Sequence, residues 1–448
     1  MLLPWLTIFD ARNFLANFIK PVAIRHTTKD CDDFMILIPI FNDVAYLKNI
    51  SFLGKYSRHV ILCTTDKEGE GFYTALEKIA EINNFKIHKV QTGEATTKNP
   101  WSIFKHTLVA HELVIKDTLK NVGSKFVILL DGDTTTEESF YKLCGVMEEH
   151  NFDIASVRIV PSKRETIMER LQGIEYDVAM QARLIYPWLT SGACMVAKVS
   201  TLKDVLVHHS LFFSGGDIEI GKLAVYSGYH VGHIRFTLFT DVPATFKAWW
   251  KQRTMWWAGA FRHAVINFRT NWRHPFFLTY FSLIVWFLLP FKLYESFLHW
   301  WIIPTLMLLY IPLSILVNYK VKSVRSWPII LFSFYAWLQI FILIWLGMIR
   351  YLKIFLKTKN AGIIKFRHSE KPSNSFRISD VFIVIKRVLT LCCLIFLIIF
   401  LTSYSLQVAI LHEGLTDKTV SIVKGIKLDK NKLIANSANI GVLLWSAK

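Results

Sequence analysis

The sequence predicts an α/β, Rossmann-like domain followed by C-terminal transmembrane helices. Three observations carry that expectation. Short apolar runs alternate with helical segments between residues 34 and 130, the pattern of βαβ units in a mostly parallel sheet. Long apolar runs, each near the ~20 residues a spanning helix needs, crowd residues 275–404. Basic stretches separate these runs, as at Lys320, Lys322 and Arg325.

The elements follow in order. Residues 1–30 carry apolar side chains at near-helical spacing but are interrupted by Asp10, Arg12 and Asn13. They are expected to form an amphipathic helix, lying either at a membrane interface or packed on the following domain. They lack the basic start and small-residue cleavage site of a signal peptide. Residues 31–243 form the α/β domain. Phe34–Ile40, His59–Cys63, Phe85–Val90 and Phe126–Leu130 are expected strands, with helices over Asn42–Leu53, Gly71–Ile82 and Trp101–Leu119. Beyond residue 150 the pattern is less regular, with strands expected at Ile154–Val160 and Ala193–Lys198 and a helix at Glu165–Tyr186. Residues 244–274 read as an interfacial helix, and 405–448 as a tail.

The membrane region, 275–404, reads as spans Pro275–Tyr294, Phe297–Val317, Pro328–Met348 and Val381–Tyr404. Its loop at 350–380 is rich in Lys and Arg, which favours the cytosolic side. Three full crossings before that loop would place it outside if the α/β domain is cytosolic. We therefore expect one of the first three segments to be interfacial or re-entrant. The expected location is integral to the plasma or inner membrane, with the α/β domain in the cytosol.

Composition narrows the function classes. The 52 Lys and Arg against 34 Asp and Glu give a formal charge of +18, which suits anionic lipid or anionic small substrates. No nucleic-acid partner is expected, because many of these charges flank apolar spans. The six cysteines form no CxxC pair and lack histidines at zinc spacing, so neither a disulfide framework nor structural zinc is expected.

Asp131-Gly132-Asp133 directly follows the apolar run Phe126–Leu130. Two carboxylates one residue apart beyond a strand can share a divalent cation with substrate phosphates. The alternative is an ordinary turn or helix cap, which Thr134 and Glu137 also fit. Asp217 follows Gly215-Gly216 and can serve as a general base or merely cap a helix over Ile218–Ser227. Four tryptophans lie within Trp249–Trp257, beside Lys251, Gln252 and Arg253. They can stack on sugars while Arg253 meets a pyrophosphate, or they can anchor an interfacial helix.

In order, PIFND at 39–43, DGD at 131–133, SGACMVAK at 191–198, GGD at 215–217 and QRTMW at 252–256 resemble the motifs of family-2 glycosyltransferases. They are most similar to the membrane-integrated branch of hyaluronan, chitin and cellulose synthases. The resemblance covers about residues 34–270 and implies a GT-A-like fold that uses a UDP-sugar with Mg²⁺ or Mn²⁺. It implies that Asp133 and Asp131 bind metal, with Asp66, Lys98, Asp131 and Arg253 at the nucleotide-sugar. It places Ser191, Gly192, Cys194, Gln252 and Trp256 at the acceptor and Asp217 as base. Met255 and Gly216 depart from the family pattern, and no pair of spans precedes the motifs in this sequence. The expected activity is inverting transfer by a metal-dependent hexosyltransferase to a growing polysaccharide at the membrane. The alternatives are transfer of one sugar to a membrane lipid, as in ceramide glucosyltransferase-like proteins, and a non-catalytic membrane protein.

Overall fold

The computed structural model describes residues 13–91, 111–211, 215–266 and 302–357. The chain divides into two units, Met1–Pro372 and Ser373–Lys448; every described residue lies in the first. Eight strands are described: β1 (Val22–Ala23), β2 (Phe34–Pro39), β3 (Val60–Thr65), β4 (Lys86–Val90), β5 (Phe126–Leu130), β6 (Ile154–Pro161), β7 (Cys194–Lys198) and β8 (Val231–Thr240). They form one mixed sheet in the order β1-β8-β6-β7-β5-β2-β3-β4. Only β7 runs antiparallel to its neighbours, β5 and β6.

The strands form where the sequence offers continuous apolar runs. Every residue of β3 and β5 is buried, as expected for strands covered on both faces. Alternation divides β2 between two cores: Ile36 and Ile38 face one, Leu37 the other. The first core receives helices α2 (Glu70–Asn83) and α4 (Phe140–Glu149) through Leu76, Ala80, Leu143 and Met147. The second receives α3 (His111–Thr118), α6 (Val199–His208) and α7 (Gly216–Tyr226) through Val114, Leu202 and Leu223. The carboxyl ends of β3, β5 and β8 are followed by Asp66, Asp131 and Asp241.

The helix expected over Asn42–Leu53 is replaced by a 3-10 turn at Val44–Tyr46 and the short helix α1 (Ile50–Leu53). Asn42 takes a positive φ of 67°, and the Asp43 carboxylate accepts from the Ala45 N–H at 2.9 Å. Local side-chain bonding of this kind competes with a helix. Of the helix expected at Trp101–Leu119, only α3 falls within the described residues. The helix expected at Glu165–Tyr186 is α5 (Ile167–Arg183), started by a reciprocal Thr166–Glu169 capping box.

Residues 246–266 form α8 (Phe246–Ile266). Its Trp249 is fully buried, and the indole N–H donates to the Tyr335 hydroxyl at 2.8 Å. That hydroxyl belongs to α10 (Ile329–Leu338), which follows α9 (Ile302–Val317) and continues through a π-helical turn at Gln339–Leu343 into α11 (Ile344–Lys357). Thus one face of α8, the segment expected to be interfacial, packs against α10. At Gly347 of α11 an added Cβ would lie 2.5 Å from the Trp257 side chain and 2.8 Å from the Ala258 nitrogen. Among the described residues no helix is long and apolar enough to cross a membrane. The runs expected at Pro275–Tyr294 and Val381–Tyr404 lie outside the described residues, as do most of the basic loop and the tail.

Candidate active site

The residues after β5 form a tightly held turn. The Gly132 carbonyl accepts from the Lys48 and Asn49 N–H groups at 2.7 and 3.1 Å. The Asn49 side-chain amide donates to the carbonyls of Asp131 and Thr134 at 3.1 and 2.7 Å. A Cβ at Gly132 would come within 2.9 Å of the Tyr46 carbonyl, so the middle residue of the motif is held to glycine by close approach. Asp133 accepts from the hydroxyls of Thr134 and Thr240, both at 3.3 Å.

The antiparallel β7 brings a second segment to the same place. The Asp131 N–H donates to the Ala193 carbonyl at 3.1 Å, which sets residues 191–193 beside the acidic turn. The Gly192 N–H then donates to Asp217 Oδ2 at 2.8 Å, and the Thr190 hydroxyl donates to the Asp217 carbonyl. Asp217 lies in the first turn of α7, after Gly215 with a φ of 90°. Asp131, Asp133, Ser191, Gly192 and Asp217 all line one cavity of about 620 Å³, within the range of small-molecule sites. Gln252, Met255, Trp256, Gly259 and Ala260 supply its wall from α8. Their i, i+3, i+4, i+7, i+8 spacing is one helix face.

Arg183, His111 and Glu112 are among the cavity residues with no counterpart in the sequence reading. Arg183 ends α5 and lines the cavity on the same helix face as Tyr176 and Met180. His111 and Glu112 arrive on α3, with His111 Nδ1 3.7 Å from the Glu112 carboxylate. A Cβ at Gly216 would fall 2.2 Å from Glu112 Oε1. The glycine found where the resembled family carries an acid therefore leaves room for an acid from another helix.

Enclosure by protein sets the charge states. Burial pushes Asp131 up to about 7, helped by Asp133 and Asp217 and opposed by His111. Burial also raises Asp217, with Glu112 adding to the effect, and raises Asp133, with Asp241 beside it. Glu112 is the opposite case: burial alone would raise it, but His111 and then His209 outweigh this and hold it at about 2. Burial lowers Arg183 to about 10, against the pull of Asp217 and Tyr176, so it remains a cation at neutral pH. The cavity thus gathers carboxylates that resist joint ionisation and one arginine facing them.

The remaining expected site residues lie elsewhere. Arg253, expected at a pyrophosphate, is 1% exposed and does not itself line the cavity, although it contacts three residues that do. Its guanidinium meets Glu175 at 2.7 Å, donates to the Gln252 side-chain carbonyl, and lies 3.9 Å from the Trp256 ring centre. On α8, residue 253 is rotated about 100° from 252 and about 60° from 256, so Arg253 sits behind the wall that Gln252 and Trp256 form and braces both of them. Cys194 is buried within β7, its thiol pushed up by burial, and does not reach the cavity. Asp66 lies beyond β3 and outside the cavity lining, its N–H bonded to the Val90 carbonyl at 3.0 Å. Lys98 lies outside the described residues.

Asp131 and Asp133 offer oxygen donors of the kind a hard cation takes, and their raised proton affinities mark a place where positive charge is favoured. Among the described residues no cluster of three or more His, Cys, Asp or Glu is arranged to hold a metal. The pair therefore fits a cation whose shell substrate phosphates and water complete.

No protein of curated function matches the sequence. Among solved structures, a mannosyltransferase from Pyrobaculum calidifontis, in complex with GDP-Man and Mn²⁺, matches with 12% identity and a TM-score of 0.48. That match covers 78% of this chain and 94% of the other. S. aureus TarS matches with 14% identity and a TM-score of 0.32, over 54% of this chain and 42% of the other. Residues 126–319, from β5 to the turn after α9 and so including Asp131, Asp133, Asp217 and Gln252, match the model described as Glycosyl transferase family group 2.

Proposed function

We propose that the chain is a metal-dependent inverting glycosyltransferase that moves a sugar, expected to be a hexose, from a UDP-sugar to a growing polysaccharide at a membrane. The observation that carries this reading is the convergence of Asp131, Asp133 and Asp217 on one cavity walled by Gln252 and Trp256. All five lie within the segment matched to glycosyltransferase family group 2.

In this reading Asp217 removes the proton of an acceptor hydroxyl, whose oxygen attacks the anomeric carbon. The bond from that carbon to the diphosphate breaks on the far face, and UDP leaves. Burial raises the proton affinity of Asp217, which suits it to accept that proton. Arg183, rather than Arg253, faces the charge that develops on the leaving diphosphate. Asp131 and Asp133 would hold Mg²⁺ or Mn²⁺, which when bound offsets diphosphate charge. Trp256 is 44% exposed and offers a ring face to an acceptor sugar. The apolar runs at 275–294 and 381–404 support a membrane location, with residues 31–243 in the cytosol.

The test is turnover by the detergent-purified chain with labelled UDP-sugars and Mn²⁺, with and without lipid acceptors. A high-molecular-weight product supports the reading. An organic-extractable product replaces the polysaccharide with a lipid acceptor, and absence of both transfer and hydrolysis across the donor panel overturns the assignment.

A further inference from the structure

The short helical turn at residues 13–16 is amphipathic in the reverse of the usual sense. Its polar side is the buried one: Asn13, Ala16 and Asn17 are at most 3% exposed, whereas Phe14, Leu15, Phe18 and Ile19 are 40–69% exposed. Both asparagine amides donate into the protein. Asn13 donates to Asn318 Oδ1 at 2.9 Å and to the Val178 carbonyl at 3.2 Å. Asn17 donates to the Val317 carbonyl at 2.8 Å and accepts from Gln181 at 3.1 Å. These bonds fix which side faces out, so the apolar side cannot turn inward without orphaning several buried amides. Four large apolar side chains held outward by a polar lock suit a hydrocarbon environment better than water.

Beside this strip opens a second cavity, also about 620 Å³, on the flank of α5 that carries Asp177, Gln181 and Leu184, with Met180 shared between the two cavities. Its lining includes Arg158, Arg235, Lys320 and Lys322, with Asp177 as the single carboxylate, a net of +3 from four cations against one acid. Arg164 shares Asp177 with Arg158, at 3.1 and 3.4 Å, so that acid is already matched. His233 adds no charge, because burial lowers it to about 3. Ile19 and Asn17 belong to the same lining, so the cationic hollow and the apolar strip share an edge.

We infer that this cavity binds the phosphate of an anionic phospholipid, whose acyl chains lie along Phe14, Leu15 and Phe18. The charge argues for a phosphate anion, and the adjoining outward-facing apolar strip argues for one that carries hydrocarbon. Arg235 and Lys322 are exposed at the mouth, where each cation near an anionic headgroup adds to binding. The inference does not depend on the reaction assigned to the first cavity.

The experiment uses the full chain in a neutral maltoside detergent and measures binding of four probes. These are dioctanoyl phosphatidylglycerol, dioctanoyl phosphatidylcholine, glycerol phosphate and inorganic phosphate. The anionic lipid should bind at least tenfold more tightly than each of the other three. The exposed pair of changes Arg235→Glu and Lys322→Glu should weaken it at least tenfold while leaving the melting temperature of the lipid-free chain unchanged. Leu15→Ser with Phe18→Ser should weaken lipid binding and leave phosphate binding unmoved. Equal binding of the zwitterionic lipid, phosphate binding as tight as the lipid, or affinity unmoved by charge reversal would overturn the inference.

Discussion

The contact between Gly216 and Glu112 gives a prediction whose sign reverses with its surroundings. In Gly216→Ala the new Cβ would lie 2.2 Å from Glu112 Cδ and Oε1 and 2.7 Å from Oε2. The carboxylate is 7% exposed and paired with His111, so it cannot swing into water without losing its partner. Overpacking of a filled interior costs about 1–3 kcal/mol. For a domain of this size ~2 kcal/mol lowers the melting temperature by roughly 4–8 °C. In a Glu112→Ala background the obstacle is gone, and alanine in the first turn of α7 is then favoured over glycine by up to ~1 kcal/mol. The same substitution should therefore destabilise the parent and be neutral or stabilising in the variant. A thermal-unfolding double-mutant cycle in detergent measures this, with an expected coupling of about 1–3 kcal/mol. Equal melting shifts in both backgrounds would refute the claim that Glu112 occupies the space beside residue 216.

Asp217→Asn should retain UDP binding by calorimetry while transfer falls by about 10²–10⁴-fold, the usual worth of a positioned base; undiminished transfer would remove Asp217 from that role. Asp131 has a folded pKa near 7 against an ordinary 3.8, so the stability cost of ionising it builds as pH rises from about 4 to 7, is full above 7, and fades only as pH falls towards 4. The metal-free chain should accordingly gain more from Asp131→Asn at pH 8 than at pH 5, by melting temperature. Mn²⁺ affinity should weaken by up to about tenfold per pH unit below 7, because protons compete for the same oxygens. Arg253→Met, which leaves Glu175 only the Tyr335 hydroxyl, should cost up to about 3 kcal/mol of stability. Arg183→Met should instead weaken UDP binding with little change in melting temperature; the opposite pattern would exchange the two roles.

The parts of this fold legible in the sequence are those where one local signal suffices. The runs in β2, β3 and β5 are apolar enough to be strands in any register, and Asp131 follows one of them directly. The strand β8 was not legible, because Val231–Thr240 mixes His233, Arg235 and Thr237 into its run and owes its place to pairing with β6 and β1. Glu112 carries no motif at all. It reaches the site only because α3 packs beside α7, a contact spanning about a hundred residues of sequence. Arg183 could have been found: it shares a helix face with Tyr176 and Met180, and the expected helix already contained all three. Sequence proximity to Gln252 does not reveal that Arg253 is spent on Glu175, a residue about eighty positions earlier on α5.

The packing of α8 against α10 and α11 bears on how the protein can be handled as a fragment. Trp249 lies in one cluster with Leu171 and Ile174 of α5 and with Phe332 and Tyr335 of α10, and Gly347 admits Trp257 and Ala258 at backbone distance. A truncated chain ending before residue 302 would keep Asp131, Asp133 and Asp217. It would lose the partner surface that orients Gln252 and Trp256, and would expose an indole and a leucine in its place. Expression of the sheet domain alone should thus yield a particle prone to self-association. The sensible minimal unit for biochemistry extends at least to Lys357.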